Sequence, residues 1–216
     1  METAFLLLVF LVVPAGLLTG NAADLLIERI PAGRPVWLDF HPAARLSWGF
    51  GRHALVLFLN TAAYAALFLR LKATPAFLLA AAFSSGMLVN AFIDAEHREL
   101  SDKVNLFLLL PGLLSFAWPD GIPPADRLAG LLTAGLPLLL VLLASRNSMG
   151  LGDVKFAAAC GLMLGMRRAV PGLLAACLGA LIYGMIRGRM KTGQTDPSIP
   201  FAPFLAGGFF LALLVV

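Results

Sequence analysis

Residues 128–144 read LAGLLTAGLPLLLVLLA, and none of these 17 side chains carries a charge. A run of this length is typical of a transmembrane helix, because a hydrocarbon core of about 30 Å requires roughly 17 to 25 apolar residues. Further apolar runs lie at about 3–19, 53–69, 75–93, 104–118, 154–168, 170–187 and 201–216. We therefore predict an all-α, polytopic membrane bundle of about eight transmembrane helices, organised as one domain over residues 1–216.

The composition excludes a soluble enzyme, a disordered chain and a secreted disulfide scaffold. Only 13% of the 216 residues are charged, 60% are hydrophobic and the mean hydropathy is +0.89, whereas ordinary soluble domains have about 25% charged residues. A soluble enzyme of this size could not bury so much apolar surface.

The chain begins Met1-Glu2-Thr3, and this acidic start differs from the basic start of a cleaved signal peptide, so we expect the first run to be a retained span.

The residue types and their spacing give little support for a metal site or a nucleophilic side chain. The two cysteines, Cys160 and Cys177, lie inside apolar runs and form no Cys-x-x-Cys pair, which favours a packing role over a zinc site. The three histidines show no His-Glu-x-x-His spacing, and the chain contains no Gly-x-Ser-x-Gly elbow. We predict no metal site and no cofactor, which leaves carboxylates as the candidate reactive groups.

The basic residues predict the orientation of the bundle. Eight spans create seven loops; the odd-numbered loops hold eleven lysines and arginines and the even-numbered loops hold five. Because cytoplasmic loops carry the excess of basic residues, the odd-numbered loops are predicted to face the cytoplasm. The net charge of +4 is accounted for by these loops, and we predict no nucleic-acid partner.

The first candidate site is residues 150–155, GLGDVK, at the start of the sixth run. Asp153 lies at the edge of the hydrocarbon, where a charged side chain is costly and tends to face a cavity or a partner. The flanking glycines, Gly150 and Gly152, allow a tight turn and a close approach of another segment. The same residues are equally compatible with an ordinary helix start, in which the helix dipole favours an acid in the first turn.

The second candidate is Asp94, which directly follows the apolar run of the third span. Counting loops places Asp94 and Asp153 on the same side of the membrane in either orientation. Two carboxylates that meet at low dielectric share a proton, because they cannot both ionise. The ionised member could then polarise a water molecule for attack on a peptide carbonyl, while the neutral member donates to the carbonyl oxygen.

Four stretches of the chain together resemble the prepilin peptidases, which are membrane-embedded aspartic proteases of the GxGD type. Residues 150–155 (GLGDVK) match the family's Gly-x-Gly-Asp-x-Lys, and Asp94 with the polar segment ending in Asp102 resembles its first catalytic aspartate and loop. Residues 199–205 (IPFAPFL) are similar to the Ile-Pro-Phe-Gly-Pro-Phe opening of the last span. Residues 20–31 are more loosely similar to the stretch after the first span.

The resemblance implies an aspartic endopeptidase in the bacterial inner membrane with its active site facing the cytoplasm. Such enzymes remove the short basic leader of type IV prepilins or of pilin-like type II secretion subunits, cutting after a glycine. Asp94 and Asp153 would be the catalytic pair, and Gly150, Gly152 and Lys155 would belong to the active-site loop. The implied partners are prepilin or pseudopilin substrates and the lipid bilayer.

Two departures from the family pattern bear on function. Ser101 stands where members often have proline before the second acid of the first loop. Many bacterial members also carry a cytoplasmic insert with two Cys-x-x-Cys pairs, which is linked to N-methylation of the new pilin N-terminus. Here residues 20–52 contain no cysteine and are predicted to form a short cytoplasmic loop. Peptidase activity is expected to survive this difference, whereas N-methyltransferase activity is left open and disfavoured.

Two other functions compete with leader cleavage. A GxGD protease acting on other transmembrane substrates would cut within the hydrocarbon, and the placement of Asp94 and Asp153 at span ends favours a cut at the membrane surface instead. A small proton- or cation-coupled transporter would need polar residues along a pathway through the bilayer. Acidic residues are missing from the middle of every predicted span, which counts against transport.

Overall fold

The computed structural model describes residues 8–33, 51–117, 121–144, 149–190 and 199–215. This part of the chain contains helices and no β-strand, which confirms the predicted all-α class. The α-helices are α1 (Val13–Arg29), α2 (Arg52–Leu71), α3 (Pro75–His97), α4 (Asp102–Leu114), α5 (Pro124–Ala144), α6 (Leu151–Leu164), α7 (Met166–Met190) and α8 (Ala202–Val215). A π-helical turn, Leu8–Val12, precedes α1, and a 3-10 turn, Ser115–Ala117, follows α4.

Five of these helices are long and apolar enough to cross a membrane. The candidate spans are Val9–Arg29, Arg52–Leu71, Pro75–His97, Pro124–Ala144 and Met166–Arg187. Helix α8 is apolar but shorter, and α4 and α6 have 13 and 14 residues. At 1.5 Å per residue these two helices are about 20 Å long, less than the roughly 30 Å of a hydrocarbon core. Eight helices with five full-length spans agree with the predicted polytopic membrane bundle.

Helix α1 ends ten residues later than the sequence predicts, at Arg29 instead of residue 19. The additional turns carry Asp24, which is buried. Its carboxylate accepts a hydrogen bond of 2.9 Å from Nε of Arg52 and lies 2.9 Å from Nδ1 of His53. Residues 20–29, predicted as part of a loop, are therefore helical. Residues 34–50 of that predicted loop lie outside the described residues, as do the basic residues Arg34, Arg45, Arg146 and Lys191.

Residues 1–89 form one compact unit, in which polar side chains join the helices. Asn60 of α2 donates from Nδ2 to the carbonyl oxygen of Gly16 at 2.9 Å and to Oγ1 of Thr19 at 2.8 Å, both on α1. A Cβ atom on Gly16 would lie 2.9 Å from the backbone of Thr61. The small residue and the hydrogen bonds together hold α1 against α2, as expected of helices that pack within lipid.

Residues 90–216 form a second compact unit, whose helices meet at small residues. Helices α5 and α6 cross at Gly130 and Gly161, where a side chain on either glycine would collide with the backbone of the other. Helices α7 and α8 meet at Gly172 and Gly208: a Cβ atom on Gly208 would collide with the backbone of Gly172, and one on Gly172 would lie 2.9 Å from the ring of Phe209. Ten of the 14 residues of α6 are buried, so α6 is a central helix of this unit.

A buried arginine fixes the far end of α6. Arg127 of α5 is 1% exposed and donates from Nη1 to the carbonyl oxygen of Met163 at 2.9 Å. This carbonyl belongs to the last turn of α6, where the helix dipole favours a positive charge. The guanidinium also lies 5.7 Å from the ring centroid of Phe116. Gly165, with φ of +77°, then ends the helix in a conformation that favours glycine.

Candidate functional site

Asp94 lies in the last turn of α3, and its carboxylate is held by the first residue of α8. Oδ2 accepts a hydrogen bond of 2.9 Å from the backbone N–H of Ala202, and the side chain is buried. The first N–H groups of a helix have no partner within the helix and carry a partial positive charge, so they stabilise a nearby carboxylate. The IPFAPFL stretch thus supplies a backbone donor to Asp94, a contact between residues 108 positions apart in sequence.

Asp153 lies in the first turn of α6, directly after the turn that begins at Gly150. The side chain is 9% exposed, and Oδ1 has no hydrogen-bond partner among the described residues. Burial and, to a smaller extent, the charge of Asp94 together raise the pKa of Asp153 from 3.8 to about 6. A hydrogen bond from the backbone of Gly150 acts in the opposite sense. The charge of Asp94 therefore acts on Asp153 across the site.

This raised pKa predicts a pH-dependent stability. The folded protein binds the proton of Asp153 more tightly than the unfolded chain, so stability from this group is present below pH 4 and is lost as the pH rises to about 6. A shift of about two units corresponds to roughly 3 kcal/mol as an upper limit. We expect Asp153→Asn to raise the melting temperature in detergent at pH 8, with a gain that shrinks towards pH 4.

Asp102 provides the matched control for that measurement, because its side chain is 73% exposed. Asp102→Asn should leave the melting temperature nearly unchanged at pH 8. An Asp153→Asn protein that melts at or below the wild-type temperature at pH 8 would contradict the assignment of a costly buried charge.

The glycines of the GLGDVK stretch have different structural roles. A Cβ atom on Gly152 would lie 2.6 Å from Cβ of Leu100, so only glycine allows the loop after α3 to pack against the start of α6. A Cβ atom on Gly150 would meet nothing closer than Oδ2 of Asp153 at 3.7 Å, an ordinary contact. Gly150 has φ of −84° and ψ of 148°, which any residue can adopt.

Lys155 joins the same two segments by an ion pair on the surface. Its Nζ lies 2.7 Å from Oδ1 of Asp102, and both side chains are well exposed. An exposed pair of this kind contributes at most about 1 kcal/mol. The structure therefore brings the predicted residues Asp94, Gly152 and Asp153 together, with Lys155 bound to Asp102 at the edge of the group.

The segment that carries both aspartates matches a known family of proteases. Residues 81–185 match the model of the type IV leader peptidase family. The resemblance seen in the sequence is thereby confirmed. Asp94, Gly150, Gly152, Asp153 and Lys155 all lie inside the matched segment, whereas Ala202 lies beyond it.

The names of curated relatives agree with the match to the leader peptidase family. A prepilin leader peptidase/N-methyltransferase of Pseudomonas aeruginosa is 32% identical over 134 residues, covering 60% of this chain and 46% of the relative. The protein of the same name from Aeromonas salmonicida is 33% identical over 128 residues, covering 57% and 44%. That from Dichelobacter nodosus is 29% identical over 199 residues, covering 90% and 58%. The chain spans about half the length of the curated relatives it matches. No solved structure matches the chain.

Two buried asparagines lie beside the candidate site, and neither was singled out from the sequence. Asn90, one helical turn before Asp94, donates from Nδ2 to Oδ1 of Asn105 on α4 at 2.8 Å. Asn105 in turn donates from Nδ2 to the carbonyl oxygen of Gly152 at 3.3 Å. An amide inside an apolar run, four residues before an acid, was the available signal, since polar residues in spans are costly and tend to be functional.

The described residues contain no group of three or more histidine, cysteine, aspartate or glutamate side chains arranged to hold a metal ion. Cys160 is buried in α6 and Cys177 is exposed on α7, and neither forms a disulfide. The site offers two carboxyl groups, the backbone donor of Ala202 and the amide chain of Asn90 and Asn105. The two carboxyl groups can bind and polarise a water molecule and can hold a proton beside it.

Proposed function

We propose that this protein is an aspartic endopeptidase that removes the leader peptide of type IV prepilins or of pilin-like type II secretion subunits. The observation that carries the proposal is the buried pair of carboxyl groups, Asp94 and Asp153, inside the segment that matches the leader peptidase family. Aspartic chemistry needs two carboxyl groups whose environments differ. Here the Asp94 carboxylate accepts a hydrogen bond from an N–H at a helix N-terminus. Asp153 is buried, and its Oδ1 has no hydrogen-bond partner among the described residues.

The proposed roles follow from these environments. The N–H of Ala202 and the dipole of α8 favour the negative charge on Asp94. Oδ1 of Asp153 has no such donor among the described residues, which favours the proton on Asp153. The Asp94 carboxylate takes a proton from water as the water oxygen attacks the scissile carbonyl carbon. Asp153 gives its proton to the carbonyl oxygen, which yields a neutral tetrahedral diol.

The second half of the reaction returns both protons. The proton held by Asp94 passes to the leaving amide nitrogen as the C–N bond breaks, and Asp153 recovers a proton from a hydroxyl of the diol. The pair then again holds one proton, so a new water molecule can be activated in the same way. No other group needs to change its protonation state.

Leader removal is tested directly by incubating the purified protein with candidate prepilins and measuring the mass of their N-termini. The expected product is a pilin that begins just after the glycine of the leader. A substrate that is cut only within its hydrophobic helix would point to a different membrane protease, and uncut prepilins would contradict the proposal.

We propose that the site faces the cytoplasm of a bacterial cell from the inner membrane. The excess of basic residues in the odd-numbered loops supports this orientation. Reporter fusions after residues 100, 148 and 194 are expected to report a cytoplasmic location, and a fusion after residue 122 an external one. An external signal at residue 148 would contradict access of Asp153 to a cytoplasmic leader.

We further propose that this chain cleaves without methylating. The curated relatives carry both activities in their names, whereas residues 20–52 here contain no cysteine. Incubation with prepilin and labelled S-adenosylmethionine is expected to leave the mature pilin unlabelled. The Pseudomonas aeruginosa relative is the positive control, and label transferred by this chain at a comparable rate would overturn the expectation.

A further inference from the structure

The asparagine chain between α3 and α6 has a fixed direction. The carbonyl oxygen of Gly152 can only accept a hydrogen bond, so Asn105 must present its NH2 group to it. The oxygen of Asn105 then faces Asn90, which must present its own NH2 group in turn. The network therefore orders both amides without ambiguity, and each contact is one that a hydrophobic residue of similar size could not make.

The two ends of this chain lie next to the two aspartates. Asn90 and Asp94 are separated by four residues on α3 and so lie on the same face of that helix. Gly152, at the other end, directly precedes Asp153. Both asparagines are buried, at 0% and 3% exposure. The hydrogen bonds thus connect the helix that carries one carboxyl group to the turn that carries the other.

We propose that Asn90 and Asn105 are positioning residues of the peptidase: they hold the Gly152–Asp153 turn at the distance and direction from Asp94 that proton transfer requires. This inference rests on the proposed function, because its effect appears only in the chemical step. Neither amide touches the reacting atoms in this role. Positioning matters because a displacement of about 1 Å of a catalytic group can lower the rate by about 100-fold.

The test is a double-mutant cycle with prepilin cleavage measured per folded enzyme molecule. Asn90→Leu and Asn105→Leu keep the approximate side-chain size and remove the hydrogen bonds. Each is expected to lower kcat by about 10- to 100-fold while KM stays near the wild-type value. The double variant is expected to be no slower than the slower single variant, because either change already breaks the link to Gly152.

Asn60 supplies the matched control, since it is also a buried asparagine with two hydrogen bonds to a neighbouring helix. Asn60→Leu is expected to lower thermal stability while kcat per folded molecule is unchanged. If a leucine variant at position 105 does not fold, Asn105→Ser, which is too short to reach Gly152, carries the same expectation. Wild-type kcat in the folded single variants, an equal loss in Asn60→Leu, or multiplicative losses in the double variant would overturn the positioning role.

The same assay separates this inference from the proposed function. A wild-type protein that leaves every prepilin uncut contradicts leader cleavage, and the positioning role falls with it. A wild-type protein that cleaves, together with Asn90 and Asn105 variants that cleave at the same kcat, contradicts the positioning role alone.

Discussion

Replacement of Asp94 or Asp153 by asparagine is expected to abolish leader cleavage, with kcat below about one-thousandth of the wild-type value. In the proposed mechanism both carboxyl groups are required, because one removes a proton from water while the other supplies a proton to the carbonyl oxygen. Asparagine has nearly the same shape but cannot exchange a proton. Cleavage is measured by mass analysis of prepilin N-termini, with equal amounts of membrane-inserted protein for each variant.

The control for these variants is Asp24→Asn. Asp24 is also a buried aspartate, but its carboxylate is bound by Arg52 and His53 in the other compact unit. Asp24→Asn is expected to lower the melting temperature while kcat per folded molecule changes little. Cleavage at the wild-type rate by either Asp94→Asn or Asp153→Asn would contradict the catalytic pair.

Gly152→Ala is expected to cause the next largest loss, a fall in activity of about 10- to 100-fold with a destabilisation of about 1 to 3 kcal/mol. The added methyl group would overlap Cβ of Leu100 at 2.6 Å. The loop after α3 must then move away from the start of α6, which displaces Asp153 relative to Asp94. Activity per folded molecule and melting temperature are both measured.

The neighbouring residue allows a specific rescue. The colliding atom is the Cβ of Leu100, so Leu100→Gly in the Gly152→Ala background should restore activity, whereas Leu100→Ala, which keeps Cβ, should not. Gly207→Ala is the matched control, because a Cβ atom there meets nothing within 4 Å. A Gly152→Ala protein with wild-type activity would show that this close packing is not required.

The helices were largely predictable from the sequence because each apolar run is long and is separated from the next by charged residues or by proline and glycine. The exceptions have identifiable physical causes. Helix α1 extends past its apolar run because Asp24 is paired with residues that are 28 and 29 positions away. Helix α6 ends at Leu164, before the predicted residue 168, because Gly165 adopts a positive φ. Hydropathy reports neither a distant ion pair nor a backbone angle.

The site was predictable only in part for a related reason. The aspartates and glycines stood out as charged or flexible residues at the ends of apolar runs, and the GLGDVK pattern suggested their association. The amide donor of Ala202 and the carbonyl acceptor of Gly152 are backbone groups, which no residue type reveals. Asn90 and Asn105 are ordinary polar residues until their partners across the bundle are known.

The hydrogen bond between Ala202 and Asp94 also sets an order of events during synthesis. A ribosome makes Asp94 and Asp153 well before it makes α8, which carries the N–H that Asp94 accepts. During that interval the nascent chain holds both acids but lacks one of the groups that fix their geometry. On the proposed function, proteolytic competence is therefore expected to arrive only with α8, after helices α1 to α7 have been made.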